Sequence, residues 1–272
     1  METFWISYRE TLSGYYLQKH YEYRFQVLLM LEGETEYQIG QQRYTVRKGD
    51  VVLLNTLEDH TLRVKKYPYR RYIFQISPDF LHSEIQSPEI LSLFVQNPES
   101  RQAVVRMREK NFTKLCQLCA QMQDEYQVQD RYFTRMILSD LNCFFVMVLR
   151  ELAADNGSVH EIRASTVLSY RILQYLDHHF SDDITVAGVA EHFYLSRHYI
   201  SHIFKQTTGR GIMEYVISRR INRAQRLLTE SDLPVGRIAQ ECGYSDFAWF
   251  SKQFRKVTGQ TPTQFRTEVL QV

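Results

Sequence analysis

The sequence predicts an α+β protein of two domains: a β-rich sandwich or barrel with a helical segment behind it, then an all-helical domain. Three observations carry that expectation. Residues 25–76 read as short strands punctuated by turn residues. From residue 96 the apolar residues fall at helical spacing. From Ile184 to Arg266 one element is written twice.

The β-rich part begins with Phe25–Leu31, a continuous apolar run, followed by a turn at Glu32-Gly33-Glu34. Glu36–Ile39 alternates, with Tyr37 and Ile39 on one face. Gly40-Gln41 turns the chain into Arg43–Val46, and Lys48-Gly49-Asp50 turns it again into Val51–Leu54. Thr61–Val64 and Tyr69–Ile76 complete the set as two further strands.

The helical segment shows two stripes. Phe112, Leu115, Cys119, Met122 and Tyr126 make one; Phe133, Ile137, Leu141, Phe144, Val148 and Leu152 make the other. The second helix also carries Met136, Leu138, Phe145 and Met147 on its flanks, so it needs two apolar partners. One is its own barrel. The other is expected to be the same helix of a second subunit, giving a homodimer in which a charge at Phe144 or Val148 would break the contact. Ala153–Ser158 is small and polar, and reads as a linker.

Each copy of the repeat has the layout of a helix-turn-helix. Ala190 and Ala239 are small residues where a second helix crosses closely, and Gly243 supplies a left-handed turn. Ser196 and Ser245 are the expected N-caps of the following helices, which end at Thr-Gly, Gly209 and Gly259. Tyr199, Ile200, Ile203 and Phe204 form the expected buried stripe of one second helix; Trp249, Phe250 and Phe254 form that of the other. Arg197, His198, Ser201, His202 and Lys205 remain outward, as do Phe247, Ala248, Ser251, Lys252, Arg255 and Lys256. Donors and cations on one exposed face suit a major-groove reader. The helix between the copies, Tyr215–Leu228, is rich in arginine.

Three segments carry a family resemblance: Ile238-Ala-x-x-x-Gly243-Tyr-Ser-Asp, Trp249-Phe-Ser-Lys-x-Phe-Arg-Lys and Thr258-Gly-x-Thr-Pro262-x-x-Phe-Arg266. Together they resemble the double helix-turn-helix DNA-binding domain of the AraC/XylS family of bacterial transcription regulators. The string Leu31-Glu-Gly33 through Tyr44-x-Val-x-x-Gly49-Asp-Val-Val to His60 resembles the cupin jelly roll, the sensor half of many such regulators. The expected organisation is therefore a cupin-like effector-sensing barrel over 1–95, a helical dimerisation segment over 96–153, a linker over 154–165 and a tandem helix-turn-helix domain over 166–272.

The resemblance implies a cytoplasmic transcription activator that binds double-stranded DNA, answers to a small-molecule effector and contacts RNA polymerase, with no cofactor. It places base reading on His198, Ser201 and His202 in the first copy and on Ala248, Trp249 and Lys252 in the second. Arg197, Lys205, Arg255 and Lys256 fall at phosphate-contacting positions. In the barrel, His20, Glu22, Arg24, Tyr37 and His60 are the candidate effector residues. His20, Glu22 and His60 are similar to part of a cupin metal site. Arg24-Phe-Gln-Val-Leu-Leu stands where a further glutamate ligand would fall, so no metal is expected. A cupin-fold metal enzyme, and a regulator controlled by abundance or a protein partner, are the two alternative readings.

Composition agrees with these expectations. The net charge is +2, but residues 164–272 hold 13 Lys and Arg against 10 Asp and Glu, and the remainder holds 20 against 21. The longest apolar run, Cys143–Leu149, is far short of the ~20 residues a membrane helix needs. The charged N-terminal residues do not read as a signal peptide. Four cysteines, with Cys116 and Cys119 inside a helical pattern, read as reduced core thiols.

Overall fold

The computed structural model describes residues 4–20, 24–55, 58–77, 80–85, 87–94, 101–156 and 164–269. The chain forms two compact units, Met1–Tyr170 and Arg171–Val272.

The first unit is built on two long antiparallel strands, β3 (Phe25–Ile39) and β6 (His60–Ile76), which pair with one another. Each pairs with different neighbours along its two halves. The first half of β3 also pairs with β5 (Asp50–Leu54) and its second half with β4 (Gln42–Arg47). The later half of β6 also pairs with β1 (Phe4–Thr11), and its earlier half with β2 (Tyr16–His20). An edge strand, β7 (Val104–Arg106), extends β5. The sheet order is β1-β6-β3-β5-β7.

Glu32-Gly33-Glu34 is thus not a turn. The chain continues through it as one strand, with register shifts against β6 between Met30 and Thr35. Gly33 sits at φ 98°, and a side chain there would approach the Pro68 carbonyl oxygen to 2.6 Å. A bulge of this kind bends a strand without reversing it. Opposite the bulge, β6 runs unbroken through Lys66-Tyr67-Pro68, so Thr61–Val64 and Tyr69–Ile76 belong to one strand.

The bend lets the sheet enclose one apolar core and offer its other face to helices. Leu28, Met30, Tyr37, Ile39, Val46, Val52, Leu54, Leu62, Val64 and Tyr69 fill the inside. On the other face Phe74 meets Phe144 edge-on at 5.2 Å, and Phe25 lies 4.8 Å from Phe94, which meets Phe145 at 5.6 Å. Phe144 and Phe145 belong to α3 (Phe133–Asn156), which packs beside α2 (Glu109–Val128) behind a short α1 (Pro88–Ser92) and a π-helical turn, Leu81–Ile85. Arg108 and Asn111 tie the start of α2 to the buried carboxylate of Glu151 on α3. Val104–Arg106 is strand, although the whole of 96–153 reads as helical. Its pairing partner is about fifty residues away in sequence, which no local period reports.

The flanks of α3 also differ from expectation. Leu138, Phe144, Phe145 and Val148 are all buried within this unit. A charge at Phe144 or Val148 would therefore enter the core, at a cost of several kcal/mol, and disrupt the fold before any dimer. What faces outward is Met136, Cys143 and Val146. Cys119 is buried and Cys116 half-buried, and desolvation raises both thiols above their ordinary range. α3 continues to Asn156 and α4 begins at Ala164, so both ends of the expected linker are helical; residues 157–163 lie outside the described residues.

The second unit is helical, with the repeat at its heart. It comprises the end of α4 (Ala164–His179), α5 (Val186–His192), α6 (Arg197–Thr208), α7 (Ile212–Glu230), α8 (Val235–Glu241), α9 (Phe247–Thr258) and α10 (Pro262–Val269). α7 buries Ile212, Tyr215, Val216, Ile221, Ala224 and Leu228 along one face. It is pinned to α4 by Asp177, a buried carboxylate that accepts from the Tyr215 hydroxyl at 2.8 Å and pairs with Arg219 at 2.6 Å.

Candidate nucleic-acid interface

Each reader is assembled from local signals. In the first copy the Thr185 hydroxyl caps α5 by accepting from the Gly188 amide at 3.0 Å. The Ser196 hydroxyl caps α6 by accepting from the Tyr199 amide at 3.2 Å. In the second copy the cap of α9 is Asp246, whose carboxylate accepts from the Trp249 amide at 2.9 Å. Ser245, expected there, is one residue too early. The residue by which the second copy is longer is Ser245 itself, since the Leu195 and Tyr244 amides donate alike to the Ala190 and Ala239 carbonyls and the caps Ser196 and Asp246 correspond. A carboxylate also suits the positive end of the helix dipole.

Both second helices end alike. Gly209 and Gly259 are left-handed C-caps, at φ 75° and 83°. The Thr208 hydroxyl donates to the Phe204 carbonyl at 2.7 Å, and the Thr258 hydroxyl to that of Phe254 at 2.8 Å. Phe204 then meets Tyr215 edge-on at 6.0 Å, as Phe254 meets Phe265 at 5.7 Å. The repeat therefore extends into the helix that follows each reader. In the second copy Arg266 closes the unit by donating to the Leu233 carbonyl at 2.7 Å.

Burial sorts the faces. Ile200, Ile203 and Phe204 are buried on α6, as are Phe250 and Phe254 on α9. Tyr199 and Trp249, expected in those stripes, are instead 46% and 49% exposed. Each precedes a buried residue by one position, about 100° around the helix. Trp249 thus stands on the outward face, where the resemblance places a base reader.

On α6, Arg197, His198, His202 and Lys205 are exposed and Ser201 is half-buried. The rings of His198 and His202 lie parallel, 6.3 Å apart. On α9, Ala248, Trp249, Lys252, Arg255 and Lys256 are exposed. Lys252 stands 5.8 Å over the Trp249 ring, and an open concavity runs along Phe247, Ala248, Ser251, Lys252, Arg255 and Lys256. Among the described residues, Arg197, Lys205, Lys252, Arg255 and Lys256 have no carboxylate partner. Elsewhere in the unit Arg219, Arg226 and Arg237 do have one, while Arg220 and Arg266 donate to backbone carbonyls.

The barrel residues are scattered. Tyr37 is buried, and its hydroxyl lies 3.3 Å from that of Tyr69; burial raises the Tyr37 phenol well above its ordinary value and that of Tyr69 to about 12. His60 is buried, with its Nδ1 3.0 Å from the Glu58 carbonyl. His20 pairs with His60 across β2 and β6, and Arg24 precedes β3. Glu22 lies outside the described residues. Among those residues, no three His, Cys, Asp or Glu side chains gather as a metal set. The sequence reading missed Arg71, a residue only 7% exposed whose guanidinium lies beside Tyr69 and Tyr15. Its signal was present: in Tyr69-x-Arg71 a cation occupies the same strand face as a core residue.

A curled antiparallel barrel followed by paired helix-turn-helix units with free cations defines a DNA-binding regulator with a ligand-binding domain. The chain belongs to the AraC family. Residues 6–141 match the AraC-like ligand binding domain and residues 189–268 match a helix-turn-helix domain. The arabinose operon regulatory protein of Salmonella typhimurium is 26% identical over 246 residues, covering 88% of this chain and 82% of that protein. The regulatory protein PocR of the same organism is 37% identical over 99 residues, 36% of this chain and 33% of its own. ToxT from Vibrio cholerae, in a structure with unsaturated fatty acid bound, shares the fold: TM-score 0.61 at 15% identity, covering 99% of this chain and 96% of that one. No helix among the described residues is long and apolar enough to cross a membrane.

Proposed function

We propose that this chain binds duplex DNA through both copies of its repeat, with α6 and α9 in major grooves, and makes or breaks no covalent bond. The observation that carries this reading is that the two second helices together present five exposed cations, Arg197, Lys205, Lys252, Arg255 and Lys256, none with a carboxylate partner among the described residues. His198, Ser201 and His202 read bases in the first copy, and Ala248, Trp249 and Lys252 in the second. Arg197, Lys205, Arg255 and Lys256 hold phosphates. α7 has 19 residues, about 28 Å at ~1.5 Å per residue, a length suited to spacing readers over grooves ~34 Å apart.

The regulator acts in the cytoplasm as an activator, with a small organic effector held inside the barrel and RNA polymerase as its protein partner. It works as a homodimer through the outward face of α3, Met136, Cys143 and Val146. The organisation into sensor, helical dimerisation segment, linker and DNA-binding domain follows the same reading. A selection of bound fragments from random duplex DNA tests it. Lys252→Ala is expected to relax preference at one base position, by about tenfold against the wrong base, while leaving non-specific affinity nearly unchanged. Failure to enrich any sequence would rule the reading out.

A further inference from the structure

The two faces of the sheet treat charge differently. On the outer side every arginine or lysine near the middle of β6 has a carboxylate. Arg70 pairs with Glu10 at 2.9 Å and Glu32 at 2.7 Å. Lys65 pairs with Glu36, and Lys66 and Arg47 share Glu34. The inner side is different. Directly opposed residues of neighbouring strands share a face, so Ser7, Arg9 and Thr11 of β1 stand beside Ile73, Arg71 and Tyr69 of β6, with Met30 of β3 on the far side of Arg71. Among the described residues, those beside Arg71 on this surface include a second arginine and no carboxylate; the nearest carboxylate on the same face, the buried Asp50 of β5 beyond Met30, is held by Arg106.

Arg71 is the buried one, at 7% exposure. Its guanidinium carbon lies 3.8 Å from the centre of the Tyr69 ring and 5.3 Å from that of Tyr15. Both its hydrogen bonds leave from Nη1, to the Thr11 hydroxyl at 2.9 Å and the Tyr69 carbonyl at 3.2 Å. Among the described residues Nε and Nη2 have no acceptor, and no carboxylate reaches the group. A buried cation without a counter-charge is costly to hold. Two free donors in one plane are the half-fork that takes a carboxylate in bidentate fashion. Aromatic walls, the Tyr37–Tyr69 hydroxyl pair and the half-buried Ile73 would surround the rest of such a molecule.

We infer that the effector of this regulator is a small organic carboxylate, bound through its carboxyl group to Nε and Nη2 of Arg71 within the barrel. This rests on the reading of the barrel as the effector site, and it adds the ligand's chemical class and its anchor. A phosphate dianion would need a second buried cation, and the nearby Arg9 is exposed, lying 5.6 Å over Trp5.

Calorimetric titration of the full chain with matched pairs tests the inference: hexanoate against hexanamide, benzoate against benzamide, glucuronate against glucose. At least one acid is expected to bind about tenfold or more tightly than its neutral partner. Arg71→Gln should remove that preference, and Arg71→Lys should retain part of it; circular dichroism of both variants checks that the fold survives. Ile73→Trp, which fills the interior, should abolish binding of acid and neutral partner alike. If neutral partners bind as well as the acids and Ile73→Trp blocks both, the carboxylate inference falls and the barrel remains the effector site. If acids bind but neither Arg71→Gln nor Ile73→Trp alters them, the barrel reading falls with it. Absence of binding by every acid up to about 10 mM, the weak end of specific recognition, also overturns the inference.

Discussion

The two readers reach one backbone shape from different residues. Their turns show this most directly. The first copy places Tyr194 at φ 56°, with its side chain 95% exposed. The second places Gly243 at φ 83°, where a side chain would approach the Ser181 carbonyl oxygen to 2.5 Å. One turn is open to solvent and tolerates any residue willing to accept left-handed strain; the other is pressed against backbone and tolerates glycine alone. The caps differ similarly, a hydroxyl in one and a carboxylate in the other, as do the reading faces, paired imidazoles in one and a lysine over an indole in the other. What the copies hold in common is therefore geometry: the φ > 0 residue, the capped amide, the closing glycine and the buried phenylalanine that meets the next helix.

Substitution at the two turns should widen this contrast. Gly243→Ala meets both left-handed strain and the Ser181 carbonyl, so thermal or denaturant unfolding should show a loss of about 3 kcal/mol or more. A loss below about 1 kcal/mol would mean that the second turn relaxes as freely as the first. The mirror change is smaller and of opposite sign. Tyr194→Gly relieves strain and gives up little packing, because the ring is exposed. It should stabilise the chain by about 0.5 kcal/mol, part of the relief being offset by the greater freedom of glycine in the unfolded state. A destabilisation would show that the Tyr194 ring has a contact the exposure does not suggest.

Much of this was legible in the amino-acid order because the signals are local. The duplicated element, the Thr-Gly ends, Gly243 and the outward cations all sit within a dozen residues of what they control. The barrel was less so. Gly33 followed by glutamate reads like a reversal, yet it is a bulge, because the decision lies with Lys66 and Pro68 across the sheet. Val104–Arg106 is a strand only because β5 has a free edge. Tyr199 and Trp249 were misplaced since apolar character reports that a residue can be buried, while one position along a helix decides whether it is. Arg71 was passed over because its isolation is a property of the folded face: the carboxylates nearest in sequence, or across the strands, point the other way. The candidate set His20, Glu22, Arg24, Tyr37 and His60 came from spacing along one strand and from a motif, and of these the described structure puts only Tyr37 beside the Arg71 cluster.

The central claim is that both readers engage DNA at once, and the salt dependence of binding tests it most directly. Each phosphate contact releases counterions, so removing one should lower the slope of log affinity against log salt by about one. Arg197→Ala with Lys205→Ala strips the first copy, and Arg255→Ala with Lys256→Ala strips the second. On a duplex holding the selected site, each double variant should reduce the slope by about two, with the two losses adding in the quadruple variant. If one pair carries the whole effect and the other leaves slope and affinity unchanged, only one reader touches DNA and the account is wrong.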